Sequence, residues 1–375
     1  MSDENLLAAM ARFEGALARA SARHGLVPEP HAEIISRVCE SARFDSAALA
    51  REGRTGTLAI PFVNRLTALV AETSPQAARH VHAGATSQDL IDTGAVLCLQ
   101  PACARVAELS VRLGNAAAEL ARRHAGTPTA ARTLLQPALP VTFGWKAAVW
   151  LSMLSRSLAG TRGAAAQACI LQFGGPSGTL SSFGQSGTAV LAALAQELGL
   201  PASLVPWHST RDRFARLGAE LAILAGAAGK IGRDVSLLMQ PEVGEAAEAA
   251  RAGRGGSSSM PHKRNPALSM LALEAAQRTP ALAATLLSQL TPEHERGLGQ
   301  WQSQWFTLRE LVCAAASGVA AMADALEDLE VNETKMRANL AALLKDQPQD
   351  FGAAGAMIER ALAEWKAATS PGTAP

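Results

Sequence analysis

The 375-residue chain is expected to be an all-α protein. Three observations lead there. Alanine and leucine dominate while alternating β-branched runs are scarce, which favours helix over sheet. Apolar residues recur every three or four positions over stretches far longer than an average helix. Prolines punctuate the intervals between those stretches, at Pro137 and Pro140, Pro201 and Pro206, Pro241, and Pro261 and Pro266. A chain of this length can bury a substantial core. It is expected to divide into a small N-terminal helical domain over 1–94, a long central helical bundle over 95–328 and a reduced C-terminal segment over 329–375.

Taken in order, the first ninety residues read as short helices joined by turns. The opening Met-Ser-Asp-Glu-Asn lacks the positive-then-apolar layout of a signal peptide. The first polar constellation is His82-Ala-Gly-Ala-Thr86-Ser87-Gln88-Asp89, followed by Asp92-Thr93. Thr86 is placed to cap a helix, with Asp89 three residues on in a capping-box position. Capping leaves His82 and the Ser87-Gln88 pair unexplained. Free amides and hydroxyls at a helix start also suit a carboxylate ligand, and the two roles are compatible.

A long helix is expected over about 95–124. Arg132-Thr133-Leu134-Leu135-Gln136-Pro137-Ala138-Leu139-Pro140 then reads as a turn with one polar pair, Thr133 and Gln136, ahead of a second long helix over about 141–170. The clearest helix runs from about 211 to 240. Its Phe214, Leu217, Leu221, Leu224, Ala228, Ile231, Val235 and Leu238 are spaced 3, 4, 3, 4, 3, 4, 3, a heptad seam. Such a seam serves the core of its own subunit, and it also suits shallow crossings in a multi-chain bundle. At its head Arg211 and Arg213 flank Asp212, which reads either as an exposed ion-paired cluster or as a source of carboxylate-binding cations. His208 reads equally as a solvent-facing turn residue or as a substrate contact, and Glu242 and Glu245 read as charges neutralising nearby cations. Helices over about 267–290 and 302–328 complete the bundle. Beyond Leu329 the chain turns polar and ends in Ser-Pro-Gly-Thr-Ala-Pro, the composition of a frayed terminus.

The most informative stretch lies between two of these helices. Gly255–Pro266 reads Gly-Gly-Ser-Ser-Ser-Met-Pro-His-Lys-Arg-Asn-Pro. Glycine and serine let backbone amides converge on an anion, Lys263 adds a compact positive charge and Asn265 a fixed dipole. A loop of this kind can close over a substrate and exclude water. A plain linker would need glycine and serine but not the ordered string that follows them.

Composition narrows the partners. The formal net charge is +1, with no basic block, which argues against nucleic acid. The cysteines at 39, 98, 103, 169 and 313 are odd in number and scattered, without the neighbours of a zinc site, so no metal is expected and a reduced cytoplasmic setting fits. No apolar run approaches the roughly 18 residues of a membrane span. Tyrosine is absent, which excludes a phenolic acid or base.

Gly256–Pro266 fits the Gly-Ser-Ser-x-Met-Pro-x-Lys-x-Asn-Pro signature of the fumarase/aspartase superfamily, and the chain is identified as resembling that family from about residue 5 to 340. Further resemblances lie at Phe13-Glu-Gly-Ala-Leu-Ala-Arg-Ala, Gln172-Phe-Gly-Gly-Pro-Ser-Gly-Thr-Leu, Trp207-His-Ser-Thr-Arg-Asp-Arg, Leu238-Met-Gln-Pro-Glu-Val-Gly-Glu and His294-Glu-Arg-Gly-Leu-Gly-Gln-Trp. Against the superfamily, the start looks short and the C-terminal region reduced. Within the pattern Thr-His-x-Gln-x-Ala-x-Pro, Thr133 and Gln136 match, but the histidine position holds Leu134. The glutamate that pairs with that histidine falls, by spacing, on Met270.

The joint loss has a chemical reading. Expelling hydroxide or an amine requires proton delivery, whereas a carboxylate, with a free-acid pKa near 4, can leave unprotonated. The resemblance therefore implies the class-II cycloisomerases of the superfamily, which interconvert 3-carboxy-cis,cis-muconate and 4-carboxymuconolactone in protocatechuate breakdown. The alternatives are a fumarate-releasing lyase of adenylosuccinate or argininosuccinate type, or a silent structural homologue. The resemblance implies no cofactor, a small polycarboxylate substrate, and a homotetramer whose sites are shared among three chains. It makes Ser257 the proton-transferring residue, with Ser258 its neighbour and possible substitute and Lys263 stabilising the alkoxide. Asn265 joins Lys263 on the substrate, with His82, Thr86, Ser87, Gln88, Thr133, Gln136 and Arg211 as further ligands.

Overall fold

The computed structural model describes residues 2–52, 56–251, 253–256, 259–260, 263–345 and 349–370. Five helices open the chain, of which α1 is as long as a later bundle helix and the rest are shorter: α1 (Asp3–Arg23), α2 (Glu29–Ser41), α3 (Ser46–Glu52), α4 (Ala59–Thr73) and α5 (Pro75–Ala78). Then come α6 (Ser87–Arg123), the strands β1 (Pro128–Thr133) and β2 (Gln136–Thr142), and α7 (Phe143–Ala168). A 3₁₀ turn at Ser181–Ser186 leads to α8 (Gly187–Leu198) and α9 (Asp212–Leu238). The chain continues through β3 (Ala246–Ala247), α10 (Ala267–Leu287), α11 (Gln300–Glu327), β4 (Glu330–Val331), α12 (Glu333–Leu343) and α13 (Ala354–Thr369). The all-α expectation holds; four of the five long helices lie within about three residues of where periodicity put them, while α6 starts at Ser87, eight residues before the expected 95, and takes in the polar segment after Thr86. The stretch read as a turn near 132–140 is instead a β-hairpin.

The residues fall into two compact units, each drawn from three stretches of sequence. The first comprises Met1–Cys103, Ala165–Ala215 and Thr285–Arg309. Its frame is α1, which packs on α2 and α8. Ser2 caps α1 by accepting from the Asn5 amide, and Asp3 and Glu4 in the first turn oppose Arg23 in the last, an arrangement that suits the helix dipole. The apolar stripe of α1, with Met10, Phe13 and Leu17, is buried, and Phe13 meets Phe173 edge-on at 6.3 Å.

The second unit comprises Ala104–Ala164, Arg216–Ala284 and Glu310–Pro375. From Leu217 to Leu238 the heptad seam of α9 is buried inside its own chain and so carries no argument for a multi-chain bundle. The polar stretch after Leu329 is more ordered than its composition suggests. Asn332 caps α12, and α13 buries Ile358 and Trp365. Trp365 lies over Gly114, where an added Cβ would meet its ring at 2.1 Å, and its indole N–H donates to Asn115 at 2.9 Å. The terminal Pro371–Pro375 lies outside the described residues.

The expectation about apolar runs needs correction. By length and composition α6 and α11 could each cross a membrane, yet 56% of each apolar window is buried inside the protein. This is how a long core helix looks when its apolar face is used for packing.

Candidate active site

In the first unit the polar segment at 82–93 is organised by two buried aspartates. Asp89 is completely buried and accepts from the amides of Gly174 and Gly175, each at 2.9 Å, and from that of Thr86 at 3.0 Å. The ring Nε2 of His208 reaches the same carboxylate at 2.7 Å, so His208 is a buried partner rather than a turn residue. The Thr86–Asp89 bond is one half of the expected capping box. The Thr86 hydroxyl does other work: it accepts from Arg296 Nη1 at 2.9 Å.

Arg296 was not among the ligands expected from sequence. Its Nη2 donates to the Pro176 carbonyl at 3.1 Å, and its Nε–H is buried without a partner. A cation bonded to the Thr86 hydroxyl and keeping one spare donor is chemically suited to a carboxylate. The signal was available in His294-Glu-Arg, but nothing in the spacing ties residue 296 to residue 86.

Asp92 is the second organiser. It takes Arg211 Nη1 at 2.7 Å, Nη2 at 3.1 Å, the Trp301 indole at 3.0 Å and Gln88 Nε2 at 3.2 Å. Arg211 also donates from Nε to Gln304 at 2.9 Å and lies 4.9 Å from the Trp207 ring centre. Its side chain is 1% exposed. The sequence expectation for Arg211 is therefore corrected: its fork is spent on Asp92, and it holds the packing under the segment instead of offering itself to a substrate. Gln88 is likewise fully buried, tied to Asp92 and to the His208 carbonyl at 2.9 Å, with its Oε1 unpartnered. Ser87 remains at the α6 start, half-buried.

His82 sits at the turn into this segment with φ +58°, a strained setting for a non-glycine residue. Glu14 of α1 accepts its amide at 3.0 Å and contacts its Nδ1 at 2.6 Å. Burial pushes the imidazole pKa down, but the Glu14 charge and hydrogen bond, with Asp89 behind them, more than offset this, and the net direction is up. Gly84, at φ +76°, is required here: an added Cβ would lie 2.4 Å from the Phe183 ring.

In the second unit Thr133 and Gln136 are opposed across the antiparallel hairpin, flanking a two-residue tip. The tip residues Leu134 and Leu135 have φ of +52° and +64°, the pattern of a primed turn that normally calls for asparagine and glycine. Leu134 is 96% exposed, although it is a large apolar side chain. Strand β1 of the hairpin is pinned along its length by Glu245, which is buried. Glu245 accepts from Arg132 at 2.7 and 3.0 Å, Thr129 at 3.1 Å and Asn339 at 2.8 Å. Its expected role as a neutralising charge is what the geometry shows.

The signature loop belongs to the same unit. Gly255, at φ +68°, accepts the Asn265 amide at 2.8 Å, and the Asn265 side chain reaches the Gly256 carbonyl at 3.4 Å, so the two ends of the loop are drawn together. Lys263 is exposed, while its neighbour Arg264 is held by the Glu248 carbonyl at 2.7 Å and by Glu330 at 2.9 Å. Glu248 caps α10 by accepting from the amides of Leu268 and Ser269 at 3.0 and 2.8 Å. Ser257, Ser258 and His262 lie outside the described residues. Met270, at the glutamate position of the superfamily, is 62% exposed on α10. Among the described residues no three His, Cys, Asp or Glu side chains converge as a metal site.

Comparison with known proteins places these features. The lyase family model matches residues 2–279. The 3-carboxy-cis,cis-muconate cycloisomerase of Bradyrhizobium diazoefficiens is 48% identical over 342 residues, covering 91% of this chain and 76% of that protein. The nitrosuccinate lyase of Streptomyces davaonensis is 42% identical over 349 residues, covering 91% and 73%. Among solved structures, the 3-carboxy-cis,cis-muconate lactonizing enzyme of Pseudomonas putida superposes with a TM-score of 0.92 at 36% identity, covering 98% of this chain and 96% of that one.

Proposed function

This chain belongs to the lyase family of the fumarase/aspartase superfamily, and we propose that it is an intramolecular lyase that interconverts 3-carboxy-cis,cis-muconate and 4-carboxymuconolactone. Likeness to cycloisomerases along nine-tenths of the chain carries this reading. The leucine and methionine at the positions of the superfamily's proton-delivering pair fit it, because the carboxylate that adds or departs needs no protonation.

In the cyclising direction one substrate carboxylate attacks the double bond. Charge builds on the carbon next to a second carboxylate, delocalises into its aci-form, and is removed when that carbon takes a proton. In the reverse direction the same proton is abstracted and the ring carboxylate leaves. Ser257 moves this proton, with Ser258 its neighbour and possible substitute. A serine needs strong stabilisation of its alkoxide to act as a base, and the loop amides with Lys263 are the source of it. Lys263 and Asn265 hold the carboxylate that accumulates charge. Thr86 and Ser87, with Arg296, take another, and Thr133 and Gln136 orient the substrate. Arg211 and Gln88 serve by fixing the segment beneath.

The assembly is read as a homotetramer with sites shared among chains. Its support is the set of apolar side chains left on the surface, including Leu134, Ile223, Met270, Leu271 and Phe306. A cytoplasmic setting is supported by five free thiols, and no cofactor enters the chemistry. The test is ultraviolet decay of 3-carboxy-cis,cis-muconate on adding metal-free protein, with the product identified by NMR. Lactone formation is expected. A folded protein that leaves the muconate untouched while releasing nitrite from nitrosuccinate would replace this reading with a β-elimination.

A further inference from the structure

Glu14 is a charged residue where α1 is otherwise apolar. It shares the buried stripe with Met10, Phe13 and Leu17, and its side chain is 1% exposed. Burying a carboxylate costs several kcal/mol unless it is paired and hydrogen-bonded. Both of its oxygens are spent on one residue, the amide and the Nδ1 of His82. His82 itself is held in the left-handed region at φ +58°, at a further cost of about 1–3 kcal/mol. A buried charge serving a strained histidine, four residues ahead of Thr86, is more than the packing of α1 on its neighbours requires.

We propose that Glu14 is a positioning residue: it fixes the His82 ring through Nδ1 and keeps it protonated, so that Nε2–H is presented as a donor to a carboxylate of the substrate. This rests on the polycarboxylate reading above. With Nδ1 occupied, Nε2 is the only ring atom left for a ligand, and the side chain is 18% exposed. The charged groups around it are Glu14 on α1 and Asp89 on α6. Asp89 is itself engaged by His208, and the Arg296 guanidinium is bonded to the Thr86 hydroxyl.

Protonated, the Glu14–His82 pair is neutral overall and donates at Nε2. Deprotonated, it carries one negative charge, accepts at Nε2 and repels an anionic substrate. KM for 3-carboxy-cis,cis-muconate should therefore climb about tenfold per pH unit above the His82 midpoint, with the change falling on KM rather than kcat.

Glu14→Gln keeps the size and one hydrogen bond but removes the charge. It should move the break in the KM profile down by about one pH unit or more, in step with the His82 imidazole titration followed by ¹⁵N NMR. Glu14→Asp, which keeps the charge at a shorter reach, should fall between the two and stands in if the glutamine variant fails to fold. A KM break at the same pH in wild type and variant would overturn the proposal, as would a wild-type His82 midpoint at or below its ordinary range. The NMR titration needs no substrate, and binding of the inert propane-1,2,3-tricarboxylate needs no turnover. If wild-type protein leaves the muconate unchanged, the proposed reaction fails, and those two readouts still decide the role of Glu14.

Discussion

Arg211 offers the sharpest test of the site, because sequence and structure assign it different work. Its guanidinium meets Asp92 through two nitrogens at 2.7 and 3.1 Å, donates to Gln304 at 2.9 Å and lies over Trp207 at 4.9 Å, with both charged side chains almost fully buried. Removing one partner of such a pair strands the other and costs about 3–5 kcal/mol. Loss of the ring contacts adds about 1 kcal/mol. Asp92 would keep the Gln88 and Trp301 donors, which holds the penalty near the lower end of that range. Arg211→Met is thus expected to lose about 3–4 kcal/mol in urea unfolding monitored by tryptophan fluorescence. Adding Asp92→Asn should recover about 2 kcal/mol or more of that loss, because the stranded charge is then gone. A loss below about 1 kcal/mol together with a KM raised tenfold or more would refute this, and would return Arg211 to the substrate.

Arg296→Gln should raise KM about 10- to 100-fold, the value of a charge-assisted hydrogen bond to a carboxylate, with little change in unfolding; an unchanged KM would remove Arg296 from the site. Ser257→Ala should lower kcat far more than it raises KM, and steady-state kinetics showing an unchanged kcat would exclude Ser257 from the proton transfer. Trp365→Ala should destabilise by about 3–5 kcal/mol in chemical denaturation, since it empties the space over Gly114; a loss under about 1 kcal/mol would mean that α13 does not belong to its unit. The raised His82 pKa carries a sign: its stabilisation is complete below the unfolded value and is lost as pH rises through the folded value. Urea unfolding from pH 6 to 9 should show this loss in wild type and less of it in Glu14→Gln. Equal slopes in the two proteins would contradict the pairing.

The helices at 87–123, 143–168, 212–238, 267–287 and 300–327 were legible because a buried helix must repeat its apolar residues every three to four positions, and that period survives in the sequence. The signature loop was legible because its residues are contiguous. The hairpin at 128–142 was not: Leu134 and Leu135 occupy left-handed positions that their side chains disfavour, so local propensity pointed away from a two-residue turn. The C-terminal helices were missed because their few apolar residues, Ile358 and Trp365 among them, acquire meaning only against the surface they cover.

Alone, the sequence determined the helical class, the family, and the chemistry implied by Leu134 and Met270, all of which depend on residue type and spacing along the chain. Tertiary structure decided which charges are free. Arg211 and Arg296 look alike as residues, and only the burial of Asp92 against one and the nearness of Thr86 to the other separates a structural ion pair from a candidate ligand. The same holds for Glu14 and His82, which are 68 residues apart in sequence and 2.6 Å apart in space. The physical reason is that a charge acts over a few ångströms in a low-dielectric interior, and those distances are set by packing rather than by position in the chain.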